Sequence, residues 1–509
     1  MSRSLLISRS LLLILLVLPA ACNPAKPGNT KVVVLAIDGL SWNVIQPMLN
    51  NGELETFGSL MDNGSYGTLN VPEWESSPVL WTTMATGRPR QYHGIDGWYY
   101  FDAETRSWMP TESTARKLPA IWNILSGFNR TEVIIDWPVT SPPEQINGIM
   151  ITRFNSIEHM DIYPHDRRPE LESLLSSAVY DNSHPDPWVN SELSGFARWK
   201  LLTSAYLRES PDLLASYLQT ADGLQHRLWK YYEPELFVHP VWGIDEENIK
   251  AYGQVIPGHY RDIDGYIGSL RAGLDEHTVL IIISDHGLRP VPSPTIKKFD
   301  INRILQKGGL LSLNAAGDID YNRSSAYECG TAEEDIKVCL NPDYLKDASR
   351  LSHVIDSVRV GGIRPLMLME AEDSYAVVRN LLFRTSLPEQ MGTIEVLSHD
   401  YNLSGFITLS FSGGHDNSGV IFMSGPNLKK NVHLRNASQF DVLPTVLYIL
   451  GLPVAEDMEG QVLTEAFDAA YLEKNPVRFI ASYGKRSITP DLASSDMELI
   501  DKLRSVGYV

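Results

Sequence analysis

Short runs of apolar residues, each ending at a polar or charged residue, recur along the chain. The clearest run is Lys31–Ile37, which is continuously apolar after its first residue, rich in β-branched side chains and followed by Asp38. Such a run is typical of a central parallel strand that is buried on both faces of a sheet. Runs of similar character lie at 133–135, Leu213–Leu218, 278–284 and 419–423. We therefore expect a buried, mostly parallel sheet.

Between these runs, apolar residues recur with the period of a helix. This pattern predicts helices over 44–61, 118–125, 197–207 and 440–450. Strands that alternate with helices indicate a doubly wound α/β fold, in which functional groups lie at the carboxyl ends of the strands. The chain has no visible repeat of about 20 to 50 residues, which excludes solenoid and propeller architectures.

The alternation is less regular between residues 290 and 409. This stretch contains several Gly and Ser residues, an amphipathic segment at 371–383 and two cysteines. We interpret 290–409 as a cap inserted into the main α/β domain, which comprises 31–289 and 410–509. The alternative is that the main sheet continues through this stretch.

The N-terminus has the features of an export signal. Arg3 and Arg9 precede the apolar run 11–18, and small residues follow it, directly before Cys22. The run is shorter than the roughly 20 apolar residues that a membrane-spanning helix needs. We therefore predict a signal peptide over 1–21 and a linker over 22–30.

The residues before Cys22 also resemble a bacterial lipoprotein signal. That resemblance implies that Cys22 carries a lipid and that the protein is exported to the periplasm or cell envelope, held at the membrane. Cleavage to a soluble exported protein is the alternative. In either case Cys329 and Cys339 are in an oxidising compartment, so we predict that they form a disulfide. Two free buried thiols are the alternative.

Composition and charge narrow the class of protein. With 509 residues, 43% of them hydrophobic and 21% charged, the chain matches a folded protein with a large core. Its formal net charge of −19 repels polyanions and argues against a nucleic-acid scaffold. A small anionic substrate then requires a local reversal of the field, which bound metal ions can supply.

Acidic and imidazole side chains follow two of the predicted strands. Asp38 ends the first strand, and Asp285 and His286 end the strand at 278–284. Because parallel strands end at the same edge of a sheet, we expect these three side chains to lie close together. A single aspartate at a strand end is more often a turn or capping residue. These two strand ends therefore indicate a ligand site only when they are combined with further candidate ligands.

Further candidate ligands follow later along the chain. Asp222 and His226 come after the strand Leu213–Leu218, with a spacing that places them side by side on a helical turn. His415 follows two glycines, which we expect to let the backbone bend sharply. Three aspartates and three histidines together match two divalent metal ions with mixed oxygen and nitrogen ligands, for which Zn²⁺ is the first choice.

Ser77 is the candidate nucleophile. Serine favours the N-cap and proline the first turn, so Ser77 and Pro78 predict a helix start. The positive end of the helix dipole there suits a bound phosphate. Helix capping alone is the alternative role for Ser77.

These elements occur in the order typical of the alkaline phosphatase superfamily. The chain resembles its type I phosphodiesterase and nucleotide pyrophosphatase branch over most of the mature sequence, through the segments 34–39, 77–87, 93–95, 222–226, 284–287 and 414–415. The resemblance implies an alkaline phosphatase-like doubly wound α/β fold with an inserted cap. It also implies hydrolysis of a small phosphate ester, more often a diester or pyrophosphate than a monoester, through a phosphoseryl intermediate.

The resemblance further implies a role for each candidate residue. The implied ligands of one zinc ion are Asp222, His226 and His415. The implied ligands of the other are Asp38, Ser77, Asp285 and His286. Ser77 stands where this branch commonly has a threonine nucleophile, which is a chemically equivalent hydroxyl.

Several other functions are alternatives to a phosphodiesterase. A phosphomonoesterase or phosphotransferase would use the same metal site. A sulfatase needs an arginine where Leu80 stands, which argues against that activity. A catalytically inactive envelope lipoprotein that binds through its cap is a candidate from another class, but such a protein would be expected to have lost at least one ligand.

Overall fold

The computed structural model describes residues 30–71, 75–102, 107–154, 156–180, 182–332, 335–341, 349–371, 375–383, 385–386, 392–409 and 411–486. The predicted signal peptide, Cys22 and the predicted linker up to residue 29 lie outside these residues, and so does the segment 487–509. Within the described ranges, no helix has the length and apolar character needed to cross a membrane.

Helices and strands alternate along the described residues. The α-helices are α1 (Trp42–Asn50), α2 (Glu55–Asn63), α3 (Ser77–Thr86), α4 (Arg90–His93), α5 (Ile121–Gly127), α6 (Arg168–Ser176), α7 (Pro187–Leu207), α8 (Thr220–Tyr232), α9 (Glu246–Tyr252), α10 (Val255–Ala272), α11 (Ile301–Lys307), α12 (Ser349–Ser357), α13 (Val442–Ile449) and α14 (Ala469–Lys474). The strands are β1 (Lys31–Ile37), β2 (Ser65–Asn70), β3 (Tyr99–Asp102), β4 (Ser107–Pro110), β5 (Glu132–Ile135), β6 (Gly148–Phe154), β7 (Ser156–Tyr163), β8 (Leu213–Leu218), β9 (Thr278–Ile283), β10 (Gly287–Pro290), β11 (Ile296–Phe299), β12 (Ala326–Ala332), β13 (Asp335–Leu340), β14 (Arg359–Val360), β15 (Leu366–Ala371), β16 (Tyr375–Asn380), β17 (Thr393–Val396), β18 (His399–Asn402), β19 (Ile407–Leu409), β20 (Gly413–Asp416), β21 (Ser418–Ser424), β22 (Val432–Leu434), β23 (Val454–Ala455) and β24 (Phe479–Ile480).

A nine-stranded sheet forms the centre of the molecule, in the order β22-β2-β21-β9-β1-β8-β5-β6-β7. Its middle strands β9, β1, β8, β5 and β6 are parallel, whereas β21 and β7 run antiparallel to their neighbours. Alternate side chains of β1 enter two hydrophobic clusters. Val33 and Leu35 pack with α7, α8 and α10, and Val32 and Val34 pack with α3, α5 and α13. The sheet is covered on both faces, which confirms the doubly wound, mostly parallel α/β fold.

One long predicted helix is in fact two. The pattern at 44–61 predicts a continuous helix, but α1 ends at Asn50 and α2 begins at Glu55. Gly52 lies between them with φ of 74°, a left-handed conformation that glycine adopts without steric cost. The glycine ends the first helix because an L-residue with a side chain would be strained there.

The helix predicted at 197–207 begins ten residues earlier, at Pro187. The Asp186 side chain accepts a hydrogen bond from the Trp188 amide, and Pro187 occupies the first turn. This is a standard helix start, because proline has no amide hydrogen to leave unsatisfied. The other two predicted helices overlap α5 and α13.

The stretch interpreted as a cap has small sheets and a hydrophobic cluster of its own. Strands β12, β13, β16 and β15 form one antiparallel sheet, and β14, β17 and β18 form another. Their apolar side chains pack with those of α11 and α12 in a cluster separate from both faces of the central sheet. Among the described residues, no strand between 290 and 409 joins the nine-stranded sheet, so the main sheet does not continue through this stretch. The domain boundaries stay a prediction.

The predicted disulfide is present. Cys329 in β12 is bonded to Cys339 in β13, and the two strands are antiparallel neighbours. The alternative of two free buried thiols is therefore wrong.

Removing this bond should destabilise the cap. Cross-linking residues separated by ten positions stabilises a protein by about 2 to 3 kcal/mol in the chain-entropy model. We expect the double substitution Cys329→Ser and Cys339→Ser to lower the free energy of unfolding by that amount in urea titrations followed by circular dichroism. The wild-type protein under reducing conditions is the control and should show the same loss. Detection of two free thiols in non-reduced peptides by mass spectrometry would contradict the pairing.

Candidate active site

The carboxyl edge of the parallel strands carries the predicted site. Asp38 directly follows β1, and Asp285 and His286 follow β9 closely. Asp222 lies in the first turn of α8, which begins directly beyond β8. Because β9, β1 and β8 are adjacent and parallel, these side chains reach one edge of the sheet, as predicted.

Helix α8 presents Asp222 and His226 on the same side. Their spacing of four residues brings Nε2 of His226 within 3.1 Å of Oδ1 of Asp222. The other ring nitrogen, Nδ1, lies 2.7 Å from the carbonyl oxygen of Gly413. The α8 pair is thereby held against the β20 segment.

His415 reaches the cluster on a two-stranded ribbon. Strand β20 pairs antiparallel with β10, and His415 lies opposite Leu288. The ring of His415 lies 4.5 Å from the ring of His286 and 4.5 Å from that of His226. The predicted sharp bend at the two glycines is wrong, because both lie in β20. Glycine is needed there for close approach, since a Cβ atom on Gly413 would lie 2.4 Å from a carbonyl oxygen of α8.

The candidate ligands converge in two groups that share His286. Nε2 of His286 lies 3.2 Å from Oδ1 of Asp38 and 3.5 Å from Oδ2 of Asp285. It is 4.0 Å from Oδ1 of Asp222, which also faces His226 and His415. Ligand atoms of Asp38, Asp285 and His286 lie within 4.8 Å of one another, as do those of Asp222, His286 and His415.

Three carboxylate oxygens in this cluster accept no hydrogen bond. They are Oδ1 of Asp38, Oδ1 of Asp222 and Oδ2 of Asp285, and all three are buried. The second oxygen of Asp38 accepts a hydrogen bond of 2.6 Å from the hydroxyl of Tyr217, which orients the carboxylate. Buried polar atoms normally have hydrogen-bond partners. Three buried carboxylate oxygens that face one another without such partners are therefore compatible with a bound cation.

Backbone carbonyl oxygens orient two of the imidazole rings. Nδ1 of His226 faces the carbonyl oxygen of Gly413, and Nδ1 of His286 lies 3.1 Å from that of Gly287. In a neutral ring, an Nδ1 that donates its hydrogen to a carbonyl leaves Nε2 unprotonated, which is the form that would bind a metal ion. The donor set of carboxylate oxygens and imidazole nitrogens therefore fits divalent metal ions.

Electrostatic crowding is severe in this cluster. Burial and the neighbouring charge of Asp38 raise the pKa of Asp285 well above its usual range. Burial alone would lower the pKa of His286, but the carboxylates of Asp285 and Asp38 outweigh it and raise that pKa to about 10. Burial and the charge of His286 lower the pKa of His415 to about 2. The positive charge of a cation bound at the centre of the cluster would relieve the repulsion between the carboxylates.

Ser77 lies at the start of α3, beside the first group of ligands. Its hydroxyl oxygen is 3.4 Å from Nε2 of His286, and the residue is half-buried. Helix α3 begins at Ser77, as predicted, and the N-cap position belongs to Ser76, whose carbonyl accepts the amides of Val79 and Leu80. The alternative role of Ser77 as a helix cap is therefore wrong. Because Pro78 has no amide hydrogen, the first helical hydrogen bond comes from Val79. The hydroxyl of Ser77 is therefore not used by a cap.

A buried hydrogen-bond network joins the two groups of ligands, and the sequence analysis missed it. Gln225 donates 2.8 Å hydrogen bonds to the carbonyl oxygens of Gly39 and Ala221. The Tyr260 hydroxyl donates to the Gln225 side chain and accepts from the amide of Ser41. The network thus links the loop after Asp38 to the helix that carries Asp222. Gln225 lies within the 222–226 motif, whereas no sequence signal marks Tyr260.

Substitution of Gln225 tests this network. Gln225→Leu leaves the buried carbonyl oxygen of Gly39 without its donor and the Tyr260 hydroxyl without its acceptor, which costs about 1 to 3 kcal/mol. We expect that loss in the free energy of unfolding, together with weaker metal binding in calorimetric titrations. Gln46→Leu on the exposed face of α1 is the matched control and should change stability by less than about 0.5 kcal/mol. Equal effects of the two substitutions would contradict the role of the network.

A mostly parallel α/β sheet with aspartates and histidines at its carboxyl edge is the architecture of the alkaline phosphatase superfamily. The sequence pattern of one of its families, type I phosphodiesterase/nucleotide pyrophosphatase, matches residues 32–363, well over half of the chain. The protein belongs to this family and is a hydrolase of the phosphodiesterase and pyrophosphatase type. Among the seven candidate residues, His415 alone lies beyond the matched range.

Solved structures of related proteins are also similar to the chain. Human ectonucleotide pyrophosphatase/phosphodiesterase 5 is 16% identical, with a TM-score of 0.42, over 85% of this chain and 97% of that chain. An inactive variant of the murine protein, in complex with AMP, is 15% identical, with a TM-score of 0.40, over 85% of this chain and 97% of that chain. No curated protein sequence matches the chain significantly.

Proposed function

We propose that the protein is an exported, metal-dependent phosphodiesterase or nucleotide pyrophosphatase that uses Ser77 as its nucleophile. One observation carries the proposal. The Ser77 hydroxyl lies 3.4 Å from His286, in a cluster whose three buried carboxylate oxygens accept no hydrogen bond. Membership of the phosphodiesterase family supports the reaction class.

Two divalent ions, with Zn²⁺ the first choice, are the cofactors of this proposal. The proposed ligands of one are Asp222, His226 and His415. The proposed ligands of the other are Asp38, Ser77, Asp285 and His286. Divalent ions bound there would lower the pKa of the serine hydroxyl and neutralise charge on the phosphoryl oxygens and the leaving oxygen. The mixed oxygen and nitrogen donors favour zinc over magnesium, which prefers oxygen ligands alone.

The reaction is a double displacement at phosphorus. The oxygen of Ser77 forms a bond to phosphorus as the bond to the leaving oxygen breaks, giving a phosphoseryl intermediate. Water then attacks phosphorus, the bond to Ser77 breaks and the hydroxyl is restored. Ser77 occupies the first turn of α3, where the positive end of the helix dipole favours an anionic phosphoryl group. Tyr217 keeps Asp38 oriented by its hydrogen bond throughout.

A hydrolysis screen with metal analysis of the same sample tests the proposed function. We expect the full-length protein with bound zinc to hydrolyse bis-p-nitrophenyl phosphate and a dinucleotide faster than p-nitrophenyl phosphate. Faster hydrolysis of the monoester would assign a phosphomonoesterase instead. Absence of hydrolysis in a protein that holds its metal would contradict an enzymatic role and favour a binding lipoprotein.

Export and membrane attachment are the remaining part of the proposal. They rest on the apolar run that ends in small residues before Cys22. We expect Cys22→Ser to abolish lipidation and to release the protein from the envelope fraction, as measured by mass spectrometry and fractionation. Unchanged membrane association with an intact leader would point to an uncleaved anchor and contradict the lipoprotein signal.

A further inference from the structure

The loop 136–139, which follows β5, has a strained backbone on both sides of a tryptophan. Asp136 and Val139 have φ of 56° and 57°, in the left-handed region that residues with a side chain rarely adopt. Such conformations persist only where the surrounding structure fixes them, and they are common at functional sites. The hydroxyl of Thr140 donates a hydrogen bond of 2.6 Å to the carbonyl oxygen of Trp137 and so closes the loop. The loop therefore holds Trp137 in a fixed place.

Trp137 contacts the helix that carries Ser77. Its Nε1 donates a hydrogen bond of 3.3 Å to the carbonyl oxygen of Trp81 in α3. The two rings meet edge to face, with centroids 5.3 Å apart and an interplanar angle of 81°. On its other side Trp137 packs against Trp122, whose Nε1 donates a hydrogen bond of 2.9 Å to Glu144. Trp137 is thus supported from behind and holds the backbone of α3 in front.

Trp81 connects the nucleophile helix to a proposed metal ligand. It comes four residues after Ser77 in α3, so the two side chains lie on the same face of the helix. The Trp81 Nε1 donates a long hydrogen bond of 3.5 Å to Oδ2 of Asp38, the oxygen that also accepts from Tyr217. The rings of Trp81 and Tyr217 meet edge to face at 5.4 Å, and Trp81 is fully buried.

The start of α3 lacks the side-chain cap that usually fixes a helix end. Ser76 makes no capping hydrogen bond, and within the described part of the chain its buried hydroxyl oxygen has no hydrogen-bond partner. Pro78 contributes no amide hydrogen. The position of Ser77 therefore depends on how the helix packs, and Trp81 is the largest side chain of the helix.

We propose that Trp81 and Trp137 are positioning residues that set the place of the Ser77 hydroxyl relative to Asp38. The inference rests on the proposed function, in which Ser77 attacks phosphorus. Trp137 holds the backbone of α3 at Trp81, and the Trp81 indole fixes the helix against Asp38. A misplacement of about 1 Å can lower turnover by about 100-fold, so a small shift of α3 is sufficient to impair the reaction.

Trp81→Phe and Trp137→Phe test this role, because each removes an indole N–H and keeps an aromatic ring. In the full-length, zinc-saturated protein we expect kcat for bis-p-nitrophenyl phosphate to fall by about 10- to 100-fold. KM and zinc content should stay near the wild-type values, since every proposed ligand is retained. Recovery of kcat at higher zinc concentration would overturn the inference, because the tryptophans would then act through metal affinity.

Binding of orthovanadate tests the alignment without turnover. Vanadate forms a five-coordinate adduct with a serine oxygen, which resembles the transition state of an in-line displacement and binds accordingly. In calorimetric titrations we expect both variants to weaken vanadate binding by the same factor as kcat/KM and to leave orthophosphate binding unchanged. Equal vanadate affinities in the wild type and both variants would overturn the inference.

Trp199→Phe is the matched control. Trp199 is buried in the hydrophobic cluster on the opposite face of the central sheet, where its ring packs against those of Phe196 and Tyr266. The control makes the same change in side-chain volume, so it should lower the midpoint of urea unfolding about as much as the other two variants. It should leave kcat and vanadate affinity unchanged. An equal loss of kcat in Trp199→Phe would assign the effect to general packing and overturn the inference.

Amide hydrogen exchange separates failure of this inference from failure of the proposed function. We expect faster exchange of the Val79 and Leu80 amides in Trp81→Phe and Trp137→Phe, and wild-type exchange in Trp199→Phe. If the wild type hydrolyses the diester and both variants keep its kcat, the inference fails and the proposed function stands, whatever the exchange rates. If the wild type hydrolyses no phosphoric ester but exchange responds as expected, the proposed function fails and the positioning of α3 by the two tryptophans stands.

Discussion

Ser77→Ala should lower turnover by about four to six orders of magnitude while the protein keeps its metal, as expected for removal of a nucleophile. The substitution removes the hydroxyl that lies 3.4 Å from His286 but leaves all six aspartate and histidine residues that we propose as ligands in place. Metal content measured by mass spectrometry should therefore stay near the wild-type value, while hydrolysis of bis-p-nitrophenyl phosphate is nearly abolished.

Two neighbouring hydroxyl groups provide controls for this experiment. Ser76 occupies the N-cap position, and Thr82 donates a hydrogen bond of 2.7 Å to the carbonyl oxygen of Pro78 within α3. Ser76→Ala and Thr82→Ala should each change turnover by less than about tenfold. Near-normal turnover of Ser77→Ala, with a large loss in Ser76→Ala or Thr82→Ala, would transfer the role of nucleophile to that neighbour.

Asp222→Ala and His415→Ala should lose activity and metal together. Oδ1 of Asp222 faces His226, His286 and His415 at 3.1, 4.0 and 3.8 Å, so this carboxylate lies at the centre of its group. Removal of one ligand is expected to weaken metal affinity by more than about 10- to 100-fold, the usual effect of losing an outer partner. We expect a loss of about one equivalent of zinc and partial recovery of turnover at high zinc concentration.

Asp468→Ala is the matched control, because Asp468 is exposed and lies at the start of α14. It should retain both zinc and activity. Normal activity of Asp222→Ala and His415→Ala, with full metal content, would rule out the two-ion arrangement. The contrast with Ser77→Ala is the informative result, since only the ligand variants should respond to added zinc.

The parts of the site that depend on local structure could be predicted from sequence. Asp38 and Asp285 were found because each follows a short, continuously apolar strand, and the ends of parallel strands meet at one edge. Asp222 and His226 were found because a spacing of four residues places side chains together on a helix. Gly52 lies at the break between α1 and α2. The sequence analysis missed this break because the helical period of apolar residues continues on both sides of Gly52.

The remaining features depend on contacts between distant segments. His226 and Gly413 are 187 residues apart, and their hydrogen bond exists only because β20 pairs with β10. The link from Tyr260 to Ser41 likewise joins a helix to a loop 219 residues away. Lys297 in β11 likewise meets the ring of Phe411 only because β11 pairs with β19. Hydrophobic periodicity describes individual elements and contains no information on such pairings.

The stereochemical course at phosphorus tests the central claim most directly. A P-chiral phosphorothioate diester of known configuration is hydrolysed in ¹⁸O-labelled water, and the configuration of the labelled product is determined. Each in-line displacement inverts phosphorus, so attack by Ser77 followed by attack by water predicts overall retention. Overall inversion would show that water attacks the substrate directly and would contradict a phosphoseryl intermediate at Ser77.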